Sequence, residues 1–141
     1  MDFGPTRRVA PTKYTLKHGY TTWDYMLRNW VLEGSLDGQA PWTILRTHAT
    51  DQSLPNAAYS TASWDMDAAY AGDPTPVRFL KVRMTGQNSH GDNELCLSGR
   101  EVYGTLQIST TVELCDGGSS RSRIEPIFRK LVPYVLPKYH F

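Results

Sequence analysis

Glycine and proline interrupt this chain at short intervals along its whole length. The 141 residues include eleven glycines and nine prolines, and 40% of the chain is hydrophobic. Long helices are disfavoured, because glycine destabilises a helix interior and proline breaks it. Between these residues, apolar and polar side chains alternate, which is typical of strands with one buried face. The sequence therefore predicts an all-β fold.

The clearest local prediction is a β-hairpin formed by residues 27–34 and 42–46. Asp37-Gly38 lies between them, and this dipeptide suits a turn that needs a positive φ. Alternation predicts further strands at 10–17, 59–64, 77–85, 95–106 and 107–114.

Alternation also assigns the buried faces. In the hairpin, Trp30 and Leu32 share one face of the first strand, and Trp42 and Ile44 share one face of the second. Both tryptophans are expected to be buried, as is Trp64 in its own strand. Other predicted core-facing residues are Tyr14, Leu16, Leu80, Val82 and Met84.

The C-terminal part differs in composition. Gly117-Gly118-Ser119-Ser120 resembles a flexible joint, and the apolar residues of 124–132 are spaced as in a short amphipathic helix. We expect a sandwich over residues 1–106. Residues 107–141 are expected to form an extra strand and a basic C-terminal extension, helical or irregular.

Charge and hydrophobic patterning argue against two classes of partner. The net charge is +1, which does not suit a nucleic-acid-binding surface. No apolar run approaches the length of a membrane span. We therefore expect neither nucleic acid nor membrane as a partner. Residues 51–76 carry a local charge of −4 and residues 118–141 one of +4. Either both segments are exposed and solvated, or they contact each other or a partner.

Residues suited to catalysis are not arranged in any familiar pattern. The four histidines have no metal-ligand spacing, and no nucleophile elbow or phosphate-binding loop occurs. Cys96 stands between two leucines and is expected to be a buried, inert thiol, while Asp116 would raise the pKa of Cys115. The prediction is a non-enzyme with no catalytic residue, no metal and no cofactor.

Two loops are candidate binding sites. The first follows the strand at 10–17 and carries Tyr20, Trp23 and Tyr25, which either pack locally or meet a ligand. The second is the polar segment 87–93, with Asn88 and His90 as its candidate ligand-binding residues. An ordinary solvated turn is the alternative for this second loop.

Several motifs occur in the order of a known family. Residues 27–38 read Leu-Arg-Asn-Trp-Val-Leu-Glu-Gly-Ser-Leu-Asp-Gly, residues 42–48 read Trp-Thr-Ile-Leu-Arg-Thr-His, and residues 51–54 read Asp-Gln-Ser-Leu. With the segments 81–89 and 97–104, they resemble the discoidin, or coagulation factor 5/8 type C, family. The resemblance implies a galactose-binding-like jelly-roll β-sandwich.

The similarity is greater to an intracellular subgroup found in HECT-type ubiquitin ligases and BTB-domain proteins. Residues 2–4 resemble a strand that other members place after earlier strands, so the sandwich is expected to lack its first strands. Extracellular relatives bind ligands through loops that are altered here, and no binding residue is transferred from them.

The resemblance implies a non-catalytic module that binds a protein partner, with substrate recruitment in a ubiquitin-ligase context as its role. A carbohydrate-binding module is the first alternative, because aromatic and polar loops also suit sugars. An incomplete structural fragment of a larger protein is the second. Two cysteines and no secretory signal favour a cytoplasmic or nuclear location.

Overall fold

The computed structural model describes residues 1–19 and 24–109. In chain order, its elements are β1 (Arg7–His18), β2 (Trp30–Ser35), β3 (Thr43–His48), β4 (Thr61–Asp65), α1 (Ala68–Ala71), β5 (Phe79–Met84) and β6 (Leu97–Ile108). The predictions for Tyr20, Trp23, Cys115 and the helix at 124–132 lie outside the described residues.

The strands form two antiparallel three-stranded sheets, and the all-β prediction is confirmed. One sheet has the order β4-β1-β6 and the other β3-β2-β5. An isolated bridge links Val9 of β1 to Val77, two residues before β5. The helix α1 is the single helix among the described residues, and it has four residues. No helix in this part of the chain is long and apolar enough to cross a bilayer.

The β2–β3 hairpin forms as predicted. Gly38 has a φ of 82°, which a glycine adopts without a steric penalty. The Ser35 hydroxyl accepts a hydrogen bond from the Gly38 N–H at 3.1 Å and donates one to the Asp37 carboxylate at 3.0 Å. This side-chain network satisfies the turn's own polar groups and fixes the connection between the strands.

The predicted buried face of β3 is wrong. Leu45 is fully buried, whereas Ile44 is 51% exposed and Trp42 is half-buried. The register of the hairpin shifts between Leu32 and Glu33, as in a β-bulge. The extra residue is Leu45, because Arg46 pairs with Leu32 whereas Ile44 pairs with Glu33. Alternation counted from buried His48 across this bulge would put Ile44 and Trp42 in the core, but the bulge turns them to the outer face.

The core lies between the two sheets. Tyr14 and Leu16 of β1 face Trp30 of β2 and Leu45 of β3, and all four are almost completely buried. The predicted core face of β5 is confirmed, because Leu80 is buried while Val82 and Met84 are partly buried against the core. The two sheets therefore make an all-β sandwich.

Two strand boundaries differ from the predicted ones. The strand β6 runs without a break from Leu97 to Ile108, whereas the sequence predicts separate strands at 95–106 and 107–114. Cys96 is only partly buried, because it lies just before β6 rather than inside a strand. Burial and the charge of Glu94 nevertheless raise the pKa of this thiol, which keeps it protonated and weakly reactive.

Candidate recognition site

Tyr25 and His90, from the two loops predicted separately, stack on each other. Their ring centroids are 4.6 Å apart and their planes differ by 24°. Tyr25 has a φ of 64°, an uncommon backbone conformation for a residue with a large side chain. The fold therefore brings one residue of each predicted loop into a single surface, across 65 positions of sequence.

Hydrogen bonds from backbone and side-chain groups hold the two loops together. The N–H of Met26 donates to the Ser89 hydroxyl, and the N–H of Ser89 donates to the Met26 carbonyl, each at 2.9 Å. The Asn29 amide donates to the carbonyl of Gln87 at 2.9 Å. Since these bonds span the gap between the loops, Tyr25 and His90 are held in register.

Asn88 organises the polar loop from beneath. Its buried side-chain oxygen accepts hydrogen bonds from the backbone N–H groups of His90 at 2.9 Å and Asp92 at 3.0 Å. Its amide nitrogen donates to the carbonyl of Glu94 at 3.2 Å. Because three bonds to the loop's own backbone occupy this side chain, its geometry is that of a brace for His90.

The exposed rim of the site is polar and ionisable. His90 Nδ1 lies 2.9 Å from a carboxylate oxygen of Asp92, and both side chains are about half exposed. Together with the Tyr25 ring, they offer an aromatic surface, an imidazole and a carboxylate. We call the surface formed by Tyr25, His90 and Asp92 the loop site. Its groups can stack and hydrogen-bond with a ligand.

Of the five predicted binding residues, the structure brings together Tyr25, Asn88 and His90. Tyr20 and Trp23 are outside the described residues, and their roles stay predictions. Asp92 was not among the predicted binding residues. The signal was available in the sequence, because a carboxylate two positions after a histidine in a short loop is within reach of its Nδ1 atom.

A second cluster of polar residues is buried between the sheets and was not predicted. His48 Nδ1 lies 2.5 Å from an Asp51 carboxylate oxygen, and His48 Nε2 lies 2.6 Å from the Tyr14 hydroxyl. The indole N–H of Trp30 donates to the same hydroxyl at 3.0 Å, and its ring stacks on the imidazole at 3.8 Å. We call these four residues the buried relay.

One set of protons satisfies the whole buried relay. The indole of Trp30 is a donor only, and ionised Asp51 is an acceptor only. The Tyr14 hydroxyl therefore accepts from Trp30 and donates to His48 Nε2, while His48 Nδ1 carries the proton that Asp51 receives. A neutral imidazole with its proton on Nδ1 fits every contact.

Burial and hydrogen bonds together set the ionisation states of this cluster. Burial lowers the pKa of His48 below its ordinary 6.5, although the Asp51 carboxylate acts in the opposite direction. Burial also raises the pKa of Tyr14. For Asp51, burial opposes ionisation, but hydrogen bonds from Ser53 and His48 outweigh it and lower the pKa. The neutral His48 and the ionised Asp51 are thus the favoured states at neutral pH.

The family-like segment 45–54 derives its pattern from these contacts. Leu45 and Leu54 are completely buried, and His48 and Asp51 form the polar end of the relay. Arg28 donates to the carbonyls of Asp51 at 3.1 Å and Leu54 at 2.8 Å. The motif therefore encodes packing between the sheets.

The described residues contain no group of three or more His, Cys, Asp or Glu side chains placed to hold a metal ion. Asp65 and Asp67, two positions apart, instead pair with different cations. Asp65 lies 3.8 Å from Lys13, and Asp67 lies 3.0 Å from Arg46. Their carboxylates are therefore engaged by separate parts of the fold.

Comparison with known proteins places the chain beside segments of two E3 ligases. It is 41% identical over 99 residues, 70% of its length, to "E3 ubiquitin-protein ligase Ufd4" of Drosophila melanogaster. It is 30% identical over 145 aligned positions, 92% of its length, to "E3 ubiquitin-protein ligase hecd-1" of Caenorhabditis elegans. No protein-family model matches the chain. The chain spans only 4% and 5% of the two relatives, so it is similar to a small part of each ligase.

Proposed function

We propose that this chain is a non-catalytic recognition module that binds a protein partner through the loop site. The observation that carries the proposal is the stacking of Tyr25 on His90 at 4.6 Å, with His90 still half exposed. A fold that braces two loops from beneath and leaves an aromatic ring, an imidazole and a carboxylate at the surface provides a preorganised binding surface.

The two relatives supply the context of the proposal. Both are named as E3 ubiquitin-protein ligases, and the chain matches about one twentieth of each. We propose that the module recruits substrates to a ligase of this kind, in the cytoplasm or nucleus. We propose that ligation itself belongs to other parts of such a ligase, since the chain matches only 4% and 5% of the two relatives.

We further propose that the sandwich is of the galactose-binding-like, discoidin type. Two antiparallel three-stranded sheets support this assignment. The motif segments at 27–38 and 45–54 also support it, because they build the central hairpin and the inter-sheet contacts. Its loops at one end would then be the place for ligand binding.

The test is quantitative co-purification from cytosol. The full chain is compared with the double variant Tyr25→Ala/His90→Ala and with Tyr59→Ala, a control at an exposed aromatic residue outside the loop site. We expect the recovered amount of specific proteins to fall at least about tenfold with the double variant and to stay unchanged with the control. Equal recovery with all three chains would refute the loop site as the binding surface.

Carbohydrate binding is the second candidate, because a tyrosine ring beside polar groups also suits a sugar. A glycan array screened with the full chain separates the two candidates. Binding that disappears in Trp23→Ala, with an unchanged melting temperature, would favour the sugar. Absence of binding across the array eliminates it and leaves the protein partner.

A further inference from the structure

A second surface lies on the outer side of the β3-β2-β5 sheet, facing away from the core. Glu33 of β2 pairs in register with Ile44 of β3 on one side and with Lys81 of β5 on the other. Lys81 also places its ammonium 4.0 Å from the centre of the Trp42 ring. With Arg83, these residues form a continuous group that we call the outer patch.

The charges of the outer patch are layered. Glu33 Oε2 lies 3.1 Å from Lys81 Nζ, and Glu33 Oε1 lies 2.8 Å from Arg83. The Glu33 side chain is only 7% exposed, whereas Lys81 is 39% and Arg83 is 50% exposed. Two cations thus share one carboxylate and stand above it. An approaching molecule meets an excess of positive charge, because the balancing negative charge is covered.

Apolar side chains flank these cations. Ile44 is 51% exposed and Trp42 is half-buried, since the bulge in the hairpin turns this part of β3 away from the core. Large apolar and aromatic side chains next to arginine are the composition found at the centres of protein interfaces. The Lys81 ammonium lies over the Trp42 ring in a cation–π contact, which restrains the ring.

We propose that the outer patch binds an acidic peptide segment of a partner protein, one that carries a large apolar residue between carboxylates. The carboxylates pair with Lys81 and Arg83, and the apolar residue covers Ile44 and the edge of Trp42. Charge complementarity selects this occupant, because the exposed charges are positive and the one carboxylate is buried beneath them. This surface is separate from the loop site and does not depend on it.

The probe is a fluorescein-labelled nonapeptide with a central Leu-Phe pair flanked by aspartates and glutamates. Its binding to the full 141-residue chain is followed by fluorescence anisotropy. Two control peptides carry amides or lysines in place of the acidic residues. We expect saturable binding of the acidic peptide and weakening at least about tenfold for both controls. Raising the salt concentration should weaken binding, because the cations of the patch are exposed.

Two variants assign the binding to the outer patch. Glu33→Gln/Lys81→Gln/Arg83→Gln removes all three charges together and so leaves no buried carboxylate without a partner; we expect at least about tenfold weaker binding. Ile44→Ser changes an exposed side chain and should weaken binding about threefold to fivefold without affecting folding. Lys13→Gln, a control at an exposed lysine of the other sheet, should bind as the unmodified chain does.

Three results of the binding assay would overturn the proposal. They are no binding of the acidic peptide at about 1 mM protein, equal binding of the lysine peptide, and an equal loss of affinity in Lys13→Gln. Sedimentation of the free chain provides a further check. A stable dimer that Ile44→Ser dissociates would assign the patch to a second copy of this chain and refute the peptide as its occupant.

Discussion

The molecule uses the same three kinds of side chain in two places with opposite exposure. In the buried relay, His48 stacks on Trp30 at 3.8 Å and binds Asp51 through Nδ1. In the loop site, His90 stacks on Tyr25 at 4.6 Å and binds Asp92 through Nδ1. The His48 side chain is 1% exposed and that of His90 is 49% exposed.

Burial decides what each arrangement can do. Each polar atom of the buried relay that loses its partner incurs the full cost of desolvation, so the cluster specifies how the two sheets pack. Water can replace a lost contact in the loop site, which makes that cluster weak for stability and available to a ligand. We therefore expect variants of the first to change folding, and variants of the second to change binding.

The largest expected effect concerns the two tryptophans of the hairpin. Trp30→Ala should lower the free energy of unfolding by about 3–5 kcal/mol, because the ring is fully buried in the core. Trp42→Ala should cost less than about 1.5 kcal/mol, since it loses a half-exposed ring and one cation–π contact. Urea denaturation measures both, and equal losses would contradict the assigned faces.

The two histidines give the next largest contrast. His48→Ala leaves the Tyr14 hydroxyl and the Asp51 carboxylate without their ring partner, so we expect a loss of about 2–4 kcal/mol. His90→Ala should change the free energy of unfolding by less than about 0.5 kcal/mol. A destabilisation by His90→Ala as large as that by His48→Ala would remove the distinction between the clusters.

Asn88→Ala tests the brace under the loop site. The variant removes three hydrogen bonds to the loop backbone, for an expected loss of about 1–2 kcal/mol. Amide hydrogen exchange should accelerate at His90 and Asp92, whose N–H groups donate to Asn88. Exposed Asn93→Ala is the matched control and should leave that exchange unchanged. Unchanged exchange in Asn88→Ala would show that the loop holds its shape by other means.

Acid should destabilise the chain through His48. Its pKa in the folded state lies below the ordinary 6.5, so between these values the unfolded chain binds the additional proton. Stability is therefore complete above about pH 6.5 and falls as the pH drops, by at most about 1.4 kcal/mol per pH unit. In His48→Gln this slope should disappear from urea titrations between pH 7 and pH 5. Persistence of the full slope would assign it to other groups.

The hairpin illustrates what the sequence could and could not predict. The Asp37-Gly38 turn is a local signal, so both strands and their connection were predictable. The reversal at Ile44 and Leu45 was not, because a bulge depends on how β3 pairs with β2 and leaves no mark on simple alternation. The sequence does not predict α1 either, since four residues are too few to show a helical period.

The candidate sites show the same limit at longer range. Tyr25 and His90 were each predicted from local composition, but their stacking depends on the pairing of β2 with β5, which brings the two loops to the same end of the sheet. The buried relay joins Tyr14 and His48, 34 positions apart. His48 and Asp51 are close in sequence, and their spacing was visible in the family-like motif. Their role became clear only when β1 placed the Tyr14 hydroxyl against the imidazole.

Site-specific photocrosslinking tests the recognition surface most directly. A benzoylphenylalanine replaces Asn93, an exposed residue next to Asp92, in one chain and Tyr59, an exposed aromatic residue outside the loop site, in another. After irradiation in cytosol, we expect discrete crosslinked species from the chain modified at Asn93, and none of these from the chain modified at Tyr59. The same crosslinks from both chains, or none from the position of Asn93, would contradict the loop site as the binding surface.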